Sequence, residues 1–335
     1  MKKVEFKDVL KAHETLEGVV RKTPNELLFY DSKLKFSLYL KLESFQRTGA
    51  YKFRGAYNKV ARLSADDLEK GVVCASTGNH VQGVALASTL LGAKSFAFMP
   101  KSTPEIKVNK AKLFGLKERD LTLVDGDFDE TCRKAKGYAL AEGKTFVHPF
   151  DDVEVCAGQG TIGVELREDL GRVDYFFVPV GGAGLLAGLT AYFNGILYAN
   201  GVAPTKVFAV EPEGSPTLYE SHKVGEPVTL DKINDYVSAV AVRKVGDISF
   251  NTVNGAVEDY VVVPEINVAG TLVDLANNHG IVTELAGALA LAGFYQEKDN
   301  LDLEGKTAVC LVTSGNLDTA NIPEIMEYAK LRDFH

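Results

Sequence analysis

Tyr175-Phe176-Phe177-Val178-Pro179-Val180-Gly181-Gly182-Ala183-Gly184-Leu185-Leu186-Ala187 is the stretch on which the reading of this chain turns. Its unbroken aromatic and β-branched run predicts a strand over Tyr175–Val180, buried on both faces. Three glycines and an alanine then break the run, and an apolar helical pattern follows over Leu185–Ala199. Strand, small-residue loop and helix form one unit of an open parallel sheet, in which ligands collect beyond the carboxyl ends of the strands. Small residues let backbone approach an anion, and a helix N-terminus supplies free N–H groups. A tight turn would need only one glycine at positive φ, so three glycines and an alanine in a row favour a phosphate cradle over a plain turn. The loop also reads Gly182-x-Gly184-x-x-Ala187, and Glu211 closes the next strand, a dinucleotide-like pattern with its acid farther on than usual.

Outward from this unit the same alternation continues. Strands are predicted at Leu38–Lys41, Val72–Ala75, Ser95–Met99, Leu121–Val124, Lys206–Val210, Tyr260–Val263 and Thr307–Val312. Helices are predicted at Tyr51–Leu63, Val81–Leu91, Glu105–Phe114, Asp129–Ala141, Val268–Asn278 and Leu285–Tyr295. The fold class is therefore α/β, with two domains of mainly parallel twisted sheet and helices on both faces. Residues 67–147 hold their own strand-helix series and are expected to form a smaller domain closing over the site. Residues 1–66 with 148–335 then make the larger one. The polar stretch Glu213–Val245 has no clear period and is expected to wrap a surface.

The 335 residues carry 37 Lys plus Arg against 45 Asp plus Glu, a net charge of −8. With no basic run, a nucleic-acid partner has little to hold. No segment reaches the ~20 apolar residues of a membrane span, and the N-terminus has no apolar stretch of secretory length. Cys74, Cys132, Cys156 and Cys310 are far apart and lack metal-ligand spacing, so reduced buried thiols are expected. The working class is a soluble cytoplasmic protein.

Three further loops carry chemistry-bearing residues. Ser76-Thr77-Gly78-Asn79-His80 follows a predicted strand and offers good helix caps that are also donors for a carboxylate or phenolate. For His80, a backbone-satisfied helix-start residue is as good a reading as a catalytic one. Ala50-Tyr51-Lys52-Phe53-Arg54 places Lys52 near a helix start among aromatics. Positive dipole and apolar surface there lower an amine's pKa and favour a nucleophile, although a surface lysine is the simpler reading. Thr313-Ser314-Gly315-Asn316 follows the last strand and offers a hydroxyl.

These four loops, in this order, resemble the threonine dehydratase and serine racemase family of fold-type II pyridoxal-phosphate enzymes, whose fold is like that of tryptophan synthase β. Gly158-Gln159-Gly160-Thr161 and Val240-Ala241-Val242-Arg243 extend the likeness. The resemblance implies that Lys52 is the Schiff-base lysine and that Gly181, Gly182, Ala183, Gly184 and Leu185 hold the cofactor phosphate. It implies that Asn79 bonds the ring oxygen, that Tyr51 borders the ring, and that Ser314 faces the pyridine nitrogen. A hydroxyl does not hold that nitrogen protonated as an Asp does, so a weaker electron sink is expected, suited to prompt loss of a β leaving group. Ser76, Thr77, Gly78, Asn79 and His80 are expected to clasp the substrate carboxylate. Glu211, with the Ser215 carbonyl and Thr217, falls where some relatives bind magnesium or calcium, so a divalent cation there is a further expectation. Glu284 matches a family glutamate close to the cofactor.

The implied reaction is β-elimination from a β-hydroxy amino acid, L-threonine to 2-oxobutanoate and ammonia, or L-serine to pyruvate. Thr77 stands where racemases of the family place a hydroxyl, which keeps racemisation open. Action on another hydroxy amino acid, such as 3-hydroxyaspartate, is also open, as are an inactive amino-acid-binding paralogue and a nicotinamide oxidoreductase. The departures lie in the presumed pocket. Ala50-Tyr51-Lys52 replaces Ser-Phe-Lys, Ala183 replaces a glycine, Thr313-Ser314-Gly315-Asn316 replaces Ser-Gly-Gly-Asn, Glu284-Leu285-Ala286-Gly287 replaces Glu-Pro-Ser-Gly, and Ala239 replaces a loop glycine. The residues after Asn316 are too few for a C-terminal regulatory domain, so feedback through one is not expected. A homodimer or tetramer is expected from the resemblance.

Overall fold

The computed structural model describes residues 2–200 and 204–332. Among these described residues ten strands run in chain order: β1 Asn25–Asp31, β2 Phe36–Leu42, β3 Val72–Ala75, β4 Ser95–Pro100, β5 Leu121–Val124, β6 Thr145–Phe146, β7 Tyr175–Pro179, β8 Lys206–Pro212, β9 Asp259–Val263 and β10 Thr307–Val312. The helices are α1 Phe6–Leu16, α2 Lys52–Val60, α3 Ala65–Lys70, α4 Asn79–Leu90, α5 Glu105–Leu113, α6 Phe128–Ala141, α7 Val153–Leu170, α8 Gly184–Asn200, α9 Thr217–Val224, α10 Asp247–Val253, α11 Glu265–His279, α12 Leu285–Glu297 and α13 Ile322–Ala329.

The larger sheet has six strands in the order β1-β2-β10-β7-β8-β9, and only β1 runs antiparallel to its neighbour. Successive side chains of β7 enter opposite cores, as a period of two requires. Phe177 stacks on Phe208 and meets Phe294 under α12, whereas Phe176 packs with Leu186 and Leu189 of α8. The smaller sheet, β5-β4-β3-β6, is parallel throughout. All its strands lie within 67–147, yet its core is not confined there. Phe53, Ala56 and Val60 of α2 share one apolar cluster with Val72, Val84 and Val155. The helix that begins at Lys52 is thus wedged between the two sheets.

A buried charge cluster anchors the other side of that helix. Arg54 grips both oxygens of Glu43, Nε to Oε2 at 2.9 Å and Nη2 to Oε1 at 2.7 Å, and its Nη1 reaches Glu165 Oε1 at 2.6 Å. Lys41 Nζ closes the square on Glu165 Oε2 at 2.7 Å. Two cations balance two anions, and against the pull of burial Arg54 holds the Glu43 carboxyl below its usual range.

Sequence periodicity missed β1, β6 and the helices α1, α3, α7, α9, α10 and α13. For α7 the reason is physical: it is buried along most of its length, so no polar stripe marks its period. The four cysteines are free and buried, as expected. Among the described residues no helix is long and apolar enough to cross a membrane.

Candidate active site

The loops of interest meet in one cleft between the carboxyl ends of the two sheets. Its wall includes Lys52, Thr77, Asn79, Gly182, Glu284 and Thr313. The Gly181–Gly184 loop enters it at the N-terminus of α8, whose first-turn N–H groups have no helical acceptor. The one positive φ in this loop falls on Ala183, at 64°, not on a glycine. The glycines serve close approach instead. A Cβ on Gly182 would lie 2.2 Å from the Phe150 ring, one on Gly184 2.3 Å from the Phe150 carbonyl, and one on Gly181 2.8 Å from the Val240 carbonyl.

Lys52 opens α2, at the end of a helix that repels a cation. Its Nζ donates to the Pro149 carbonyl at 2.8 Å and lies 5.1 Å from the centre of the Tyr51 ring. Burial lowers its pKa to about 8, and no carboxylate opposes that shift. An amine in this state keeps a sizeable neutral, nucleophilic fraction near neutral pH. Burial moves the Tyr51 phenol the other way, upward.

The Ser76–His80 turn joins β3 to α4. Ser76 Oγ accepts from the Gly78 N–H at 3.1 Å, which leaves the hydroxyl proton free to donate. Asn79 Nδ2 donates to Glu284 Oε1 at 2.6 Å and to Ser314 Oγ at 3.3 Å. Burial raises the Glu284 carboxyl, opposed first by the nearby Lys107. His80 turns inward: Nε2 bonds the Val147 carbonyl at 2.9 Å, and burial followed by the Lys52 charge pushes the ring down to about 3. This is the backbone-satisfied arrangement, and a neutral His80 offers no cation to a ligand. Ser314 is buried, with its Oγ accepting from the Asn316 N–H at 3.1 Å, and it is Thr313 that lines the cleft.

The proposed cation site takes a different form. Both Glu211 oxygens accept backbone N–H groups of α9, from Leu218 at 2.7 Å and Tyr219 at 2.8 Å. Burial pushes this carboxyl up to about 8, and Thr217 gives its hydroxyl to the Val242 carbonyl. Among the described residues no cluster of three His, Cys, Asp or Glu could hold a metal. With both Glu211 oxygens on backbone N–H groups and the Thr217 hydroxyl on the Val242 carbonyl, this donor set offers few free oxygens to magnesium or calcium, which require several. Glu211 caps a helix. Both its oxygens are held by α9, so the dinucleotide pattern loses its acid.

Sequence reasoning missed Lys107, Phe128 and Phe150 in the cleft wall. Lys107 sits among the lysines of α5 and reads as a solvated residue. Nothing local distinguishes it.

The family described as pyridoxal-phosphate dependent enzyme matches residues 16–315. The chain belongs to this family. It is 42% identical over 329 residues to the biosynthetic L-threonine dehydratase of Bacillus subtilis, covering 97% of this chain and 76% of the relative. The corresponding enzyme of Lactococcus lactis is 37% identical over 331 residues, covering 97% and 78%. Among solved structures, the processed form of threonine deaminase isoform 2 from Solanum lycopersicum superposes with a TM-score of 0.89 at 31% identity, covering 99% of this chain and 91% of that one. Maize serine racemase gives 0.86 at 26% identity, covering 97% of each. The donor types in the cleft fit the family's cofactor: free N–H groups at a helix start for a phosphate, a depressed amine for an aldehyde carbon, an amide for a phenolate oxygen.

Proposed function

We propose that this chain uses pyridoxal phosphate to eliminate water from a β-hydroxy amino acid, the enamine so formed taking up water to release ammonia and the keto acid, with L-threonine to 2-oxobutanoate first and L-serine to pyruvate second. The observation that carries this reading is Lys52, a half-buried amine without an acidic partner in the same cleft as the small-residue loop of α8. The relatives named threonine dehydratase support the choice of substrate.

In this reading the first turn of α8, with Gly181 to Leu185, holds the cofactor phosphate. Asn79 donates to the ring oxygen, Tyr51 borders the ring, and a hydroxyl of the 313–314 pair faces the ring nitrogen. Thr313 is favoured over Ser314 for that role because Thr313 lines the cleft, whereas Ser314 is buried behind it. When bound, the cofactor supplies a sink for the electron pair left on the substrate's α carbon. Lys52 Nζ, neutral above about pH 8, takes the α proton. The first N–H groups of α4 and the Ser76 and Thr77 hydroxyls bind the substrate carboxylate, where the helix dipole favours an anion. Glu284 holds Asn79 in place through its 2.6 Å hydrogen bond. The smaller sheet unit, 67–147, closes over the substrate and excludes water. The assembly is a cytoplasmic homodimer or tetramer, and the exposed Leu27, Phe29 and Tyr30 make β1 an apolar edge strand available to it.

The test is the visible absorption of the purified protein with added pyridoxal phosphate, before and after L-threonine. A band that changes while keto acid accumulates supports the reading, and its absence in wild type sinks it. Lys52→Ala is expected to lose the band and more than about 99% of product formation. Thr77 in the cleft wall favours a second reading, racemisation of serine or threonine. Chiral analysis that finds no D or allo isomer after incubation removes it.

A further inference from the structure

A chain of polar contacts runs from α5, on the smaller sheet, to the wall of the cleft. Lys110, half-buried, bonds its ammonium to Asn316 Oδ1 beyond β10 of the larger sheet. Asn316 Nδ2 donates to Asn79 Oδ1 at 2.7 Å, with Thr48 O at 3.1 Å and Gln82 Oε1 at 3.2 Å close by. Asn79 Nδ2 then faces Glu284 Oε1 and Ser314 Oγ.

Each amide has two ends of nearly equal shape, so packing alone does not choose between them. An ammonium is a donor only, and it forces the Asn316 oxygen toward Lys110. The Asn316 amino group must then point to Asn79, which answers with its oxygen. That leaves the Asn79 amino group on the cleft side. A phenolate oxygen needs a donor there, and a reversed amide would set oxygen against oxygen. The Thr48 carbonyl reinforces the choice at Asn316, and Glu284 Oε1, accepting from Asn79 Nδ2, acts in the same sense at Asn79. Space is also tight: a Cβ on Gly49 would lie 2.6 Å from Asn316 Oδ1 and 3.4 Å from Lys110 Nζ. Burial lowers the Lys110 pKa, and the Glu284 charge opposes that shift.

We propose that Lys110 is a positioning residue that sets, through Asn316, which end of the Asn79 amide faces the cofactor. This rests on the reading of Asn79 as the partner of the ring oxygen. Because Lys110 and Asn316 belong to different sheets, the same contact makes the donor correct only when the cleft has its present shape.

The experiment is an equilibrium titration of the ligand-free chain with pyridoxal phosphate, followed by absorption, on wild type, Lys110→Met, Lys110→Arg, Asn79→Ala and the Lys110→Met/Asn79→Ala double variant. Lys110→Met is expected to raise Kd about tenfold and to move the pH midpoint of the band, whereas Lys110→Arg, still donor-only, stays within about threefold. In the Asn79→Ala background the Lys110 change is expected to shift Kd less than about twofold. Thermal melts of each variant without cofactor separate loss of fold from loss of orientation, with Lys110→Gln as a second, neutral variant that is no longer donor-only. Additive effects, or a Lys110→Met affinity equal to wild type, overturn the relay alone. Equal affinity of Asn79→Ala and wild type overturns the role of Asn79 and the relay with it. A wild-type chain that shows no band overturns the cofactor reading as well.

Discussion

At the scale of single residues, burial sets the chemistry. Capture of pyridoxal phosphate needs the neutral Lys52 amine, whose pKa burial brings to about 8. The capture rate is therefore expected to rise about tenfold per pH unit below that value and to level off above it, which stopped-flow absorption over pH 6 to 9 would check. The two inward histidines act on stability in the opposite pH range. Burial pushes His80 and His148 each to about 3, and His148 Nδ1 accepts from the Asp151 N–H at 2.8 Å. Their folded values lie below the unfolded one of about 6.5, so stability present above 6.5 is lost as pH falls toward 3. Urea midpoints measured against pH should show this loss, and His80→Leu should flatten it by about 1.4 kcal/mol per pH unit. The helix-start position and aromatic neighbours of Lys52 left a surface lysine the simpler reading, and it was the ordered set of loops, with the resemblance it carries, that singled Lys52 out. The inward turn of His80 was not legible, since the Val147 carbonyl that holds it is distant in sequence.

At the scale of elements, glycine placement does the work that polarity does elsewhere. Helices α7 and α8 cross with their backbones almost touching. A Cβ on Gly188 would sit 2.0 Å from the Cys156 carbonyl, and one on Gly160 2.5 Å from the Gly188 carbonyl. Gly188→Ala is expected to cost about 3 kcal/mol by overpacking, seen as a lower chemical-denaturation midpoint with the cofactor absent. At Ala183 the opposite holds. Its φ of 64° strains an alanine, so Ala183→Gly should relieve about 1 kcal/mol. Comparing the two variants in one unfolding series checks both signs. The strand-loop-helix unit around these residues was readable from its apolar run and glycines. Helix α7 was not, because a helix covered on nearly all sides has no polar face to betray its period.

At the scale of the whole molecule, the buried square of Lys41, Arg54, Glu43 and Glu165 joins β2 and the turn after it to α2 and α7. Arg54→Met leaves two buried carboxylates with one cation, and a loss of about 3–5 kcal/mol is expected in urea unfolding. Glu43→Gln in that background should recover part of it, because one uncompensated charge is then removed. Such a cluster lies next to the turn of helix that presents Lys52, so its loss should also weaken cofactor binding. By itself the sequence determined the α/β class, the parallel sheets, the four loops at their carboxyl ends and the resemblance that names the cofactor. Those properties follow from local periodicity and from residue types at short spacing. Only the tertiary structure decided that Glu211 caps α9, that Thr313 rather than Ser314 lines the cleft, and that Lys110 reaches Asn316. Each of these depends on which partner a polar group meets across a long stretch of chain. That choice is made by packing and desolvation, which no local pattern records.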